Sequence, residues 1–200
     1  SGCDFQTHLL KNSFWYDGEV LEKGTPRCDI FFQKELHKEM DQKIRKMYNI
    51  PEGNKLVLYA PTFRKNKSLE PYSINWDTAI PEINKLFDGA PVSVLLRLHP
   101  NMLYVDTTPL LTNPAVIDVT KYHDMQELLC ICDLLITDYS SSMFDVSMLG
   151  VPCILYATDV KVCARGYYLV FQVLPYPLAR LHEEFLAIRE TFYFAKFRRA

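Results

Sequence analysis

The sequence predicts an α/β domain on a doubly wound parallel sheet. Two observations carry this. Short apolar runs recur at 55–60, 92–98, 116–119, 133–136 and 153–156, each compact enough for a strand buried on both faces. The segments between several of them carry apolar residues at the three-to-four spacing of a helix. Strands that alternate with helical patterns call for crossover connections and a parallel sheet. In that architecture ligands bind outside the carboxyl ends of the strands.

In chain order, residues 1–16 mix aromatic and polar side chains without a clear period, and 20–23 reads as a short strand. Residues 24–29 form a turn, and 30–48 a helix with Phe32, Leu36, Met40, Ile44 and Met47 on one face. A turn at 51–54 leads into the 55–60 strand, and a polar loop follows at 65–71. Residues 74–87 read as a helix broken or restarted at Pro81. After the 92–98 strand, Pro100 holds His99 extended. A helix over 123–130 places Asp124 in its first turn. The 133–136 strand ends in a serine turn, where Ser142 and Asp145 have capping-box spacing. Gly150 ends the following helix and Pro152 prevents its continuation. Beyond the 153–156 strand, 159–168 is a loop and 181–197 a helix.

Composition narrows the function. With 48% hydrophobic and 23% charged residues the chain is an ordinary globular sequence, and its net charge of −2 argues against a nucleic-acid binder. The length of 200 residues suits one ample domain or half of a larger enzyme, and the chain opens on Ser1 rather than Met, as an excised fragment would. Cys3, Cys28, Cys130, Cys132, Cys153 and Cys163 form no C-x-x-C pair and read as reduced cytosolic thiols. His8, His37, His123 and His182 lack metal-like spacing and are assigned no ligand role, so no metal site is expected. No apolar stretch approaches the ~20 residues of a membrane span. The aromatic and basic end, Phe192 to Arg199, suits an anionic membrane surface or, with more weight, packing against a further domain.

Candidate chemistry gathers after three strands: Thr62 and Arg64, then Arg97 and His99, then Asp138 with Ser140, Ser141 and Ser142. Serine hydroxyls and free N–H groups at a helix start form a natural anion site, although Ser142 read alone is a simple cap. Arg64 is either a phosphate fork or a surface arginine. His99 either serves a phosphoryl group as donor or acid, or caps a strand end. Arg97 and His99, two apart, point to the same side. Asp145 either completes its capping box or accepts from vicinal hydroxyls. Arg165 beside Gly166 either reaches the anion from a loop or is solvated.

The ordered pieces Gly24-Thr25-Pro26-Arg27-Cys28-Asp29, Tyr59-Ala60-Pro61-Thr62-Phe63-Arg64, Arg97-Leu98-His99-Pro100, Ile136-Thr137-Asp138-Tyr139-Ser140-Ser141, Phe144-Asp145 and Arg165-Gly166-Tyr167-Tyr168 give the chain its family likeness. It resembles the CDP-glycerol glycerophosphotransferases, the teichoic-acid primases and polymerases of bacteria. Cys28 and Val170 depart from the family's usual residues, and the tyrosine usual before Arg165 is missing.

The resemblance implies the C-terminal, Rossmann-like nucleotide-binding domain of a GT-B fold over 24–200, preceded by an interdomain segment over 1–23. The H-G-T histidine and the acceptor site would then lie in an N-terminal half absent from this sequence. It further implies His99 as a functional histidine, and Arg64, Ser140, Ser141 and Asp145 as lining the site of a CDP-alcohol. CDP-glycerol is then the donor substrate, no separate cofactor is required, and a polymer or lipid-linked acceptor is the partner. The place of action is the cytoplasm, at the inner face of the membrane. Two other readings stand beside it: a UDP-sugar glycosyltransferase or epimerase of the same fold, and a non-catalytic nucleotide-binding module.

Overall fold

The computed structural model describes residues 1–14, 16–65 and 67–158, with the backbone of 192–195. Strands β1 (Lys55–Tyr59), β2 (Val92–Leu96), β3 (Val116–Asp118), β4 (Leu134–Thr137) and β5 (Cys153–Tyr156) are mutually parallel. A sixth strand, β6 (Phe192–Ala195), pairs antiparallel with β5, giving the order β3-β2-β1-β4-β5-β6. The chain therefore winds outward from β1 to β3, returns to the other side of β1 as β4, and continues to β5.

The α-helices described are α1 (Asp4–Ser13), α2 (Lys34–Tyr48), α3 (Trp76–Lys85), α4 (Met125–Ile131) and α5 (Ser142–Leu149). Alternation along β1 divides its side chains between two cores. Leu56 and Leu58 face Ile44 of α2, Leu128 of α4 and Val146 of α5. Val57 and Tyr59 face Trp76, Ala79 and Ile83 of α3. Burial on both faces explains why these strands read as unbroken apolar runs. Even Ser93 of β2 is buried, its hydroxyl accepting from Asn54 Nδ2 at 3.0 Å.

Several expectations need correction. Residues 20–23 form no strand, and 4–13 is helical although no residue of that helix is buried. Pro26 starts a 3-10 turn (Pro26–Phe32), so α2 begins only at Lys34. Of the five residues assigned to one apolar face, Met40 and Ile44 are core, whereas Phe32 and Met47 are exposed. Helix α3 runs through Pro81, its lost backbone bond offset by burial of Trp76, Ala79 and Ile83. Asp124 is the N-cap of α4, not a first-turn residue, and accepts from the N–H groups of Gln126 and Glu127 at 2.9 and 3.2 Å. The helix expected at 181–197 gives way to β6 over 192–195. Aromatic residues favour a pleated edge, and β5 leaves that edge open. The remainder of 181–197 and the 159–168 loop lie outside the described residues.

Cys3, Cys28, Cys130, Cys132 and Cys153 are all unpaired. No helix among the described residues is long and apolar enough to cross a membrane. The distinction between Ile44, with no exposed surface, and Met47, 54% exposed, is measurable. Ile44→Ala is expected to cost about 2–5 kcal/mol in urea unfolding. Met47→Ala should stay within about 0.5 kcal/mol.

Candidate functional site

A cleft of about 600 Å³ opens at the carboxyl ends of the strands. Its walls come from Ala60, Pro61 and Thr62 after β1, from Arg97 to Pro100 after β2, and from Ser140, Ser141, Ser142 and Asp145 after β4. Arg27 and the stretch from His123 to Gln126 close it on the α2–α4 face. The cleft thus lies where the winding reverses between β1 and β4, the position at which such sheets bind ligands.

Thr62, Arg97, His99, Ser140, Ser141, Ser142 and Asp145 all face this one space. Arg64 and Asp138 do not line it. Arg64 Nη2 instead donates to Asp138 Oδ2 at 2.8 Å, and Nη1 donates to the carbonyl and hydroxyl oxygens of Thr62 at 2.9 and 2.7 Å. The guanidinium expected to act as a phosphate fork thus meets protein acceptors in this structure. Arg165 and Gly166 lie outside the described residues.

His99 has an extended backbone, with φ −61° and ψ 146°, as Pro100 requires. Its Nδ1 accepts from the Asn101 N–H at 3.1 Å, so the neutral ring carries its proton on Nε2. The Phe63 ring packs 5.7 Å from it at a tilt of 36°.

Arg97 is buried with 7% exposure. It donates through Nη1 to the Leu98 carbonyl, while its Nε has no partner. Burial pushes its pKa down, and nearby Tyr48 and Asp118 oppose that only in part. A desolvated guanidinium that lacks a contacting carboxylate is costly alone, and an incoming anion offsets that cost.

The serine turn departs from the capping box. Ser141 occupies the N-cap of α5 without a side-chain cap, and Ser142 is the first helical residue. Ser140 Oγ accepts from the Ser142 N–H at 3.2 Å and its hydroxyl at 2.8 Å. Asp145 pairs instead with Arg27, Nη2 to Oδ1 at 3.1 Å, because a buried carboxylate gains more from a cation than from a local N–H. The Cys28 thiol also points at Oδ1, 3.8 Å away, and burial with that neighbouring carboxylate holds it protonated.

Arg27, His123 and Gln126 are cleft residues that sequence reasoning did not select. For Arg27 the signal was present, since it belongs to a recognised motif read only as a turn. His123 was discounted for lacking metal spacing, a criterion that does not test for a cleft wall. No cluster of three metal-ligating side chains occurs among the described residues.

A switch-point cleft lined by Arg27 and Arg97 on a doubly wound sheet defines a ligand-binding type of α/β domain. The chain belongs to the CDP-glycerol:poly(glycerophosphate) glycerophosphotransferase family, whose model matches residues 1–192. It is 35% identical over 185 residues to a teichoic acid poly(glycerol phosphate) polymerase of Staphylococcus epidermidis, covering 87% of this chain and 25% of that one. It is 33% identical over 182 residues to a teichoic acid glycerol-phosphate transferase of Staphylococcus aureus, covering 87% and 46%. The solved wall teichoic acid polymerase TagF superposes with a TM-score of 0.65 at 32% identity, over 88% of this chain and 44% of that one. A variant of that polymerase soaked with CDPG superposes with a TM-score of 0.62. The likeness establishes a doubly wound domain of the kind found in GT-B folds. The chain spans less than half the length of these relatives.

Replacing Arg97 with methionine removes the buried charge and keeps the bulk. Thermal unfolding of Arg97→Met is expected to show a free chain stabilised by on the order of 1 kcal/mol. Calorimetry should show pyrophosphate binding weakened roughly tenfold or more, as for a lost charge-assisted hydrogen bond.

Proposed function

We propose that this chain supplies the donor site of a transferase that moves glycerol phosphate, or a related polyol phosphate, from a CDP-activated donor to an acceptor hydroxyl. The product is a teichoic-acid-like polymer. The observation that carries this reading is the buried guanidinium of Arg97, which shares one cleft with His99 and the α5 N-terminus. Family membership and the CDPG-soaked relative support a cytidine diphosphate as the anion.

In this reading the diphosphate lies across Arg97 and the Ser140 to Ser142 turn, where hydroxyls and the helix dipole favour negative charge. Arg27 adds a second cation at the cleft wall, and Thr62 borders the same wall. Asp145, held by Arg27, keeps an oxygen for donor hydroxyls. An acceptor oxygen attacks the distal phosphorus and forms the new ester bond. The bond from that phosphorus to the bridging oxygen breaks, and CMP leaves. His99, with its proton on Nε2, donates to the departing phosphate oxygen. The chain's task is positioning and charge stabilisation.

The acceptor, polymeric or lipid-linked, and the base that activates it belong to the remainder of the enzyme. The free cysteines suit a reducing compartment, so we place the reaction in the cytoplasm, at the inner face of the membrane.

Titration calorimetry with CDP-glycerol and a UDP-sugar tests the donor. CDP-glycerol should bind the isolated chain, with little turnover, and the UDP-sugar should bind far more weakly. Preference for the UDP-sugar overturns the proposal. In the complete enzyme, His99→Ala is expected to lower the transfer rate by roughly 10²–10⁴-fold, the range of a lost general acid.

A further inference from the structure

Beyond their carboxyl ends, β1 and β4 diverge, because β1 leads to α3 on one face of the sheet and β4 to α5 on the other. Arg64 and Asp138 span the gap between them. Asp138 is 2% exposed and accepts hydrogen bonds from both sides. Its Oδ1 takes the N–H groups of Thr62 and Tyr139 at 2.8 and 2.7 Å, and its Oδ2 takes Arg64 Nη2 at 2.8 Å. The Arg64 guanidinium also lies 5.7 Å from the Tyr72 ring and 5.2 Å from the Tyr139 ring. Such a pair is well compensated where it sits, and breaking one half leaves a buried charge.

From this geometry we infer that Arg64 and Asp138 are positioning residues, a clasp that sets the width of the donor cleft without touching the donor. The inference rests on the donor-site reading above. Two direct links join the clasp to the chemistry. On the β1 side, Phe63 stands between Thr62 and Arg64 and packs its ring against His99. On the β4 side, Tyr139, bound through its N–H to Asp138, is followed directly by Ser140. The histidine and the serine turn are thus referenced to a single ion pair. A shift of about 1 Å in either wall is enough to cost such a site heavily.

The test uses Arg64→Met, Arg64→Lys, Asp138→Asn and the double variant Arg64→Met/Asp138→Asn in the 200-residue chain. Two quantities are read: the position of the His99 ring Cε1–H signal by NMR without ligand, and CDP-glycerol affinity by calorimetry. Each single variant should move the His99 signal and weaken binding by a similar factor, roughly tenfold, as coupled neighbours do. The double variant should be no worse than either single one, since one device is being removed twice. Arg64→Lys keeps the charge and the fold and should reproduce the pattern at smaller amplitude, which covers a failure of Arg64→Met to fold. A loss on Arg64 substitution that far exceeds that of Asp138→Asn, or that multiplies in the double variant, would make Arg64 a donor ligand and overturn the inference. So would an unmoved His99 signal in all variants. Absence of CDP-glycerol binding to the unaltered chain would instead strike the donor reading, and the His99 signal would still decide the clasp.

Discussion

The structure turns on a geometric constraint at the centre of its sheet. Two neighbouring parallel strands, β1 and β4, must send their continuations to opposite faces, and the backbone groups beyond their last shared bonds lose their ladder partners. Thr137 answers part of this from its side chain, donating to the Ala60 carbonyl at 2.6 Å. Asp138 answers more, taking an N–H from each departing strand. The polar residues that follow these strands are therefore first a solution to a backbone problem. Thr62 and the serines of the turn face the cleft as well.

That division explains what could be read from the chain. The strands were legible because burial on both faces writes itself as continuous apolar runs, and the end of α5 because Gly150 adopts a left-handed φ of 71°. The convergence of Thr62, His99 and the serines was legible too, since it follows from topology alone. Partner choice was not. Arg64 and Asp145 each had a plausible local role, but both took partners remote in sequence: Asp138 and Arg27. Spacing rules describe neighbours along one helix or strand. They carry no information on which charges meet across elements.

The cleft treats its charges unequally. Asp145 and Arg27 neutralise one another, and Asp124 is absorbed by the N–H groups that open α4. Arg97 is left with a carbonyl contact and an unmatched Nε. The formal charges lining the cleft cancel, and Arg97 is the cation among them that is left without a carboxylate in contact. The attraction this geometry offers an anion is local, built from a few desolvated groups and not from a basic surface.

The antiparallel pairing of β6 has a topological result. Tyr156 and Phe192 are register partners, so the stretch 157–191 departs and rejoins the sheet side by side. Both junctions sit at the carboxyl end of β5, the end that carries the cleft. A segment tethered at two adjacent points can gain or lose residues at an entropic cost that grows only as the logarithm of its length. A change in the number of residues between Tyr156 and Phe192 therefore leaves the register of β5 and β6 intact.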